Sequence, residues 1–205
     1  MHYVYDFDST LFGTQRLWEI WREMLVGAGH APETVDDVYR AVLPAGYSPR
    51  KHGVALGIGT AGLDDMVARF DTIVSEESPS LLFDDVAPFV EARKGTHRQT
   101  ILTQGDHAHQ WQKMRASGID RMLPDIHIAP HGAPKTENLA ELIDQDPTPM
   151  TFVDDNPWHL VAAHQSSLPI SLVRMMRPSE TLATVPHELD DVAWRVISSL
   201  DELER

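Results

Sequence analysis

Tyr3-Val4-Tyr5-Asp6-Phe7-Asp8-Ser9-Thr10-Leu11 is the stretch that decides the fold. Three β-favouring residues stop at Asp6, and a second carboxylate follows two positions later. Alternate residues on a strand point the same way, so a strand ending here aims Asp6 and Asp8 at one place. In open α/β sheets, ligand sites lie beyond the carboxyl ends of the strands. Two like charges that close raise one pKa unless a cation neutralises them, so the pair implies either a shared proton or a hard cation such as Mg²⁺. A D-x-D at a strand end also serves as a cap or a turn, and the rest of the chain has to decide.

Working outward, similar β-favouring runs recur at residues 99–102, 125–129, 150–153 and 170–175, giving five buried strands with residues 3–5. Helical patterns at 107–117, 136–143 and 157–165 separate the later runs, as a parallel sheet requires. The expected fold class is an open, doubly wound, Rossmann-like α/β domain. A last helix is expected through Glu188, Val192, Trp194, Val196, Ile197 and Leu200 to the C-terminus. Residues 13–85 lack the alternation. There Leu17, Trp18, Ile20, Trp21, Met24 and Leu25 form one helical stripe, Val35, Val38, Tyr39 and Val42 a second, and Leu63, Met66, Val67 and Phe70 a third. This block is expected to be a small helical insertion, with residues 1–12 and 86–205 forming the main domain.

The composition agrees with a packed globular chain. Of 205 residues, 42% are hydrophobic and 23% charged. No stretch approaches the roughly 18 apolar residues of a membrane span, and no basic and apolar leader follows Met1, so the expected location is the cytoplasm. The absence of cysteine excludes disulfides and thiolate chemistry, leaving oxygen or imidazole to hold any metal. A net charge of −14 argues against nucleic acid or an anionic membrane surface as partner, but not against a small anionic substrate. Oligomeric state is not legible in any of these patterns.

Three further constellations fall at strand ends or in the loops that follow. Thr103-Gln104-Gly105-Asp106 follows a buried run and opens a helix, where a hydroxyl and free backbone N–H groups suit a phosphate oxygen, although a plain N-cap explains it equally. Lys135, in Gly132-Ala133-Pro134-Lys135, could supply a fixed positive charge to a phosphoryl group and to Asp6. Asp154-Asp155-Asn156-Pro157 puts two more carboxylates after a buried strand, as an oxygen-ligated cation requires. Proline after Asn156 suits a helix start.

In this order, Asp6-Phe7-Asp8-Ser9-Thr10-Leu11, Thr103, Lys135 and Asp154-Asp155 resemble the four motifs of the haloacid dehalogenase-like hydrolases, over about residues 2–175. The resemblance implies a Rossmann-like core with a helical cap inserted after the first motif, matching residues 13–85. It implies a phosphatase in which Asp6 forms an aspartyl-phosphate while Asp8 protonates the leaving group and then activates water. Thr103, Gln104 and Gly105 would bind the phosphoryl group, and Lys135 would offset charge on it and on Asp6. Mg²⁺ would be held by Asp6, the Asp8 carbonyl and the acids at 154 and 155, and the substrate would be a small phosphate ester. Ser9 departs from the glycine common in the family. The last motif is the adjacent-acid variant, with His159 where a spaced variant carries its second acid; alignment with that variant favours Asp155 over Asp154 as direct ligand.

Rival readings have their own signals. Gly57-Ile58-Gly59-Thr60-Ala61-Gly62 matches G-x-G-x-x-G, but it sits among helical patterns without a βαβ context, and a cap turn of the kind that often faces substrate in this family fits better. His107, His109, His127 and His131 do not have the spacing of a zinc site, though His107 and His109 could touch substrate. Within the family, Asp8 argues against a dehalogenase. A phosphomutase keeps both acids and stands as an alternative, as does a non-catalytic binding protein on the same fold.

Overall fold

The computed structural model describes residues 1–180 and 194–204. Strands β1 (His2–Tyr5), β2 (Arg98–Gln104), β3 (Ile126–Ala129), β4 (Met150–Asp154), β5 (Ile170–Met175) and β6 (Arg195–Ile197) form one sheet in the order β3-β2-β1-β4-β5-β6. Every neighbouring pair is parallel. β1 and β4 are buried along their whole length, which is why they read as continuous apolar runs. Their alternating side chains feed two cores. Tyr3, Tyr5, Ile101 and Val153 enter a cluster with Trp21, Phe70 and Phe89. Val4, Leu102 and Phe152 enter another with Leu139 and Leu160. After β1 the chain builds outward through β2 to β3, then returns to place β4 on the other side of β1. The crevice between the carboxyl ends of β1 and β4 is therefore the topological switch point.

Helices α1 (Thr14–Gly27), α2 (Pro32–Val42), α3 (Pro49–Ala55), α4 (Thr60–Glu77) and α5 (Val86–Arg93) lie between β1 and β2. The stripe on α1 buries Leu17, Ile20, Trp21 and Leu25. His52, fully buried, ties three of these helices. Trp21 Nε1 donates to its Nδ1 at 3.3 Å, and Nε2 lies 3.1 Å from the Val35 carbonyl. A carbonyl only accepts and an indole N–H only donates, so the ring is neutral with its proton on Nε2. Gly57 (φ 77°) and Gly59 stand between α3 and α4. Helix, not strand, precedes the glycines, so the dinucleotide arrangement is absent there.

Later come α6 (His107–Ser117), α7 (Ile119–Met122), α8 (Lys135–Gln145) and α9 (Pro157–Gln165). No helix among the described residues is long and apolar enough to cross a membrane. The expected C-terminal helix is not found at its described residues. Arg195–Ile197 is instead a sixth strand on β5, with Val173 opposite Arg195 and Met175 opposite Ile197, and Leu200–Glu202 is a single 3-10 turn. Val196 and Ile197 are β-branched, the open edge of β5 offers hydrogen bonds, and Ser199 stops the strand by capping the turn. Glu188 and Val192 lie outside the described residues. Arg177, buried just after β5, donates Nε to Thr10 O (3.0 Å) and Nη1 to Asp85 Oδ2 (2.8 Å), fastening the loop after β1 to the start of α5.

One stability prediction arises here. His2 Nε2 lies 2.8 Å from Thr100 Oγ1, whose own proton goes to Asp125 at 2.7 Å, so the histidine donates from Nε2. Nδ1 is buried with no partner. Burial, helped by Arg98, lowers the pKa of His2 from 6.5 to about 4. The unfolded chain therefore binds the proton more readily. The stabilisation is complete above pH 6.5 and is lost as pH falls toward 4, by at most about 3 kcal/mol. Urea denaturation at a series of pH values is expected to show a falling midpoint through this window, with a shallower fall in His2→Gln. Equal slopes would refute the assignment.

Candidate active site

The crevice between β1 and β4 collects the acids. Asp6 N–H donates to Val153 O at 2.8 Å, holding the residue after β1 against the end of β4. Lys135, the first residue of α8, is buried and donates from Nζ to Asp6 Oδ1 (2.5 Å) and Asp154 Oδ2 (2.7 Å). Asp154 Oδ1 accepts from the Asn156 N–H at 2.8 Å, and His159 Nδ1 lies 3.0 Å from Oδ2. Both oxygens of Asp154 are thus engaged. Asp155 has no hydrogen-bond partner among the described residues, and its carboxylate lies with those of Asp6 and Asp154 within 4.8 Å. Asn156 caps α9 through Trp158 N at 3.0 Å.

Charge in this pocket is unbalanced. Burial raises Asp6 to about 7 against the pull of Lys135, with Asp154 and Asp8 adding to the rise. Burial would also raise Asp154, but Lys135 and then His159 outweigh it and hold that carboxyl at about 2. Asp155 is pushed well above its ordinary range by burial, Asp6 and Asp154. Burial alone would lower Lys135, yet Asp154 and Asp6 raise it. Three carboxyl groups gather around Lys135, with the His159 imidazole on Asp154, and the ligand atoms they offer together are oxygens. That donor set fits a hard divalent cation.

Asp8 sits in the turn after β1, where Leu11 and Phe12 N–H groups donate to Phe7 O. Its Oδ1 accepts from Lys113 Nζ and Thr14 Oγ1, and its Oδ2 from Gln110 Nε2 at 2.7 Å. Burial would raise this carboxyl, but Lys113 outweighs it and keeps it low and ionised. Ser9 adopts φ 57°, the left-handed conformation that glycine takes without strain, and donates from Oγ to Glu180 Oε2 at 2.8 Å.

Thr103, buried at the end of β2, lines the same cavity as Asp6 and Asp8. Gln104 and Gly105 line it too, but Gln104 Nε2 donates to Ala133 O (2.5 Å) and Gly105 N–H to Ala129 O (3.2 Å). Contact of either donor with a phosphate oxygen requires exchange of those bonds. Gly105 has φ 146°, and a Cβ there would stand 3.2 Å from Gln110 Nε2, the group that reaches Asp8. Glycine clears that path. The cavity, about 350 Å³, also takes in Asp155, Asn156, His109, His131 and His159. His107 is exposed and His127 pairs with Asp125 at 3.2 Å, so the four histidines do not converge. None of residues 57–62 lines the cavity.

Lys113, Gln110 and Thr14 are the functional neighbours that sequence reading missed. A signal existed: Gln110 and Lys113, three apart on α6, are both buried on a helix with no continuous apolar face. Their target, Asp8, is about a hundred residues away and only the fold brings it near.

The haloacid dehalogenase-like hydrolase family model matches residues 1–166, and the chain belongs to that family. A Burkholderia xenovorans protein assigned to the same family superposes with a TM-score of 0.77 at 16% identity, covering 99% of this chain and 95% of its own. A HAD family hydrolase from Deinococcus radiodurans, solved with phosphate and sodium, gives 0.64 at 14% identity, with 98% and 92% covered. A Bacillus subtilis HAD-type hydrolase bound to magnesium gives 0.64 at 14%, with 98% and 96% covered. At these identities the likeness shows the fold. No curated protein matches significantly.

Proposed function

We propose that this hydrolase is a Mg²⁺-dependent phosphatase that cleaves small phosphate monoesters through Asp6, with residues 13–85 acting as a cap over the cavity. The observation that carries the reading is the Lys135-bridged cluster of Asp6, Asp154 and Asp155 at the switch point, with a second acid, Asp8, on the wall of the same cavity. The phosphate in one structural neighbour and the magnesium in another support it. Asp6 attacks phosphorus as the bond to the leaving oxygen breaks, and Asp8 gives that oxygen its proton. Asp8, now ionised, takes a proton from water as the water displaces phosphate from Asp6. Lys135 and Thr103 hold the phosphoryl group, with Gln104 and Gly105 flanking it. Bound by Asp6, the Asp8 carbonyl and Asp155, Mg²⁺ would screen the phosphoryl charge from the attacking carboxylate. Asp154 then serves chiefly to orient Lys135 and Asn156, because both its oxygens are already engaged.

Lys113, Thr14 and Gln110 all donate to Asp8 and favour its ionised form, the state the second step uses. The first step needs it protonated and turned from Lys113, which a substrate oxygen in the cavity can induce. Asp8→Asn is accordingly expected to lower kcat by about 10²–10⁴-fold, measured as phosphate release. The reading as a whole is tested by phosphate release from p-nitrophenyl phosphate and acetyl phosphate after metal stripping, with and without added Mg²⁺. Release that depends on Mg²⁺ is expected. Equal release in EDTA would sink the metal assignment, and no release from either compound the phosphatase assignment.

A further inference from the structure

The cavity wall facing the carboxylates is apolar and aromatic. It consists of Leu17, Trp18, Tyr39, Leu43, Tyr47 and Phe70. Trp18 stacks on Tyr39 with centroids 3.9 Å apart and planes 28° apart. Tyr47 stands edge-on to both, at 6.4 and 5.1 Å, and 6.2 Å from the His109 ring. Burial, then Lys113, lowers His109 to about 3, so that ring is neutral.

Positive charge is missing from this wall. Among the described residues lining the cavity, Lys113 alone is Lys or Arg, and it is paired with Asp8. Of the insertion's basic residues, Arg22 pairs with Asp36 and Arg50 with Asp64, each at 2.6 Å, while Lys51 donates to Gly46 O at 2.9 Å with its ammonium 3.8 Å from Asp106 at the cavity edge. Arg16 lines a separate surface hollow beside Glu180. A leaving group carrying a carboxylate or second phosphate would meet Asp155, and Asp106 already pairing the lysine at the cavity edge, whereas a planar ring would find rings at stacking and edge distances.

We propose that the alcohol released from the phosphate is uncharged and aromatic, seated against Trp18, Tyr39 and Tyr47. This rests on the phosphatase reading, but its test does not need turnover. In Mg²⁺, calorimetry with benzylphosphonate, 3-hydroxypropylphosphonate and phosphonoacetate is expected to show the benzyl compound binding at least about ten-fold tighter than either other. Trp18→Ala is expected to erase that margin. Leu43→Arg, at the exposed rim and so tolerant of substitution, is expected to raise phosphonoacetate affinity relative to benzylphosphonate by about ten-fold. Equal or tighter binding of either other probe to the wild type, or no binding of benzylphosphonate, would overturn the inference. Acetyl phosphate, too small to reach the wall, separates the two readings. If it is hydrolysed through Asp6 while the ranking fails, the inference alone falls. If neither it nor p-nitrophenyl phosphate is hydrolysed while the ranking holds, the aromatic site stands and the phosphatase reading falls.

Discussion

Asp6→Asn is expected to lower phosphate release by about 10⁴-fold or more while leaving the fold intact. Asparagine has the size of aspartate, but its amide does not attack phosphorus, so the covalent step is lost with little change of shape. Folding should be unharmed for a reason visible in the charges. Burial, with smaller contributions from Asp154 and Asp8, raises the Asp6 carboxyl to about 7 despite Lys135, so its ionised form is costly to hold. A neutral side chain removes that cost of burying a charge and leaves Lys135 its bond to Asp154. In the absence of metal the variant is therefore expected to melt at or above the wild-type temperature. Phosphate release and thermal melting on the same preparation check both parts; lost activity with a lower melting temperature would point to structural damage instead.

Lys135→Met has the opposite signature. Its ammonium is the positive charge shared by Asp6 and Asp154, both buried. Removing one partner of a buried ion pair strands the other and typically destabilises by about 3–5 kcal/mol. A bound divalent cation can replace much of that charge, so Mg²⁺ is expected to raise the melting temperature of Lys135→Met more than that of the wild type. Turnover is expected to fall by about 10²–10³-fold even with saturating Mg²⁺, since the point charge near the phosphoryl oxygens is gone. A melting temperature unchanged by the substitution, with or without Mg²⁺, would show that Lys135 does not carry this load.

What the sequence disclosed follows from locality. The runs at residues 3–5 and 150–153 are short, largely apolar and closed by Asp6 and Asp154, and a parallel strand buried on both faces leaves that trace, while half-buried β3 leaves a weaker one. The four motifs sit at the ends of such runs or in the loops that follow, so their convergence followed once a parallel sheet was inferred. The sixth strand escaped because Val192, Val196 and Leu200 have helical spacing, and only the free edge of β5 selects extension for Arg195–Ile197. The surroundings of Asp8 escaped for another reason. Lys113 and Gln110 look like ordinary polar residues on a helix, and Thr14 like an ordinary helix start, until the fold buries them against one carboxylate. Trp18 and Tyr39 were legible as members of helical stripes, but not as a wall, because a stripe does not say whether its neighbour is another side chain or a cavity. Adjacent acids alone did not say which is free to meet a cation, though alignment favoured Asp155; Asn156, His159 and Lys135 engage Asp154, and Asp155 has no hydrogen-bond partner among the described residues.

The central claim is that Asp6 carries the phosphoryl group, and rapid acid quench during turnover of acetyl phosphate with Mg²⁺, followed by peptide mapping, tests it most directly. The account predicts a phosphoryl adduct on the peptide containing Asp6, localised to that carboxylate and absent in Asp6→Asn. An adduct on another residue, or wild-type turnover with no adduct at any quench time, would contradict it.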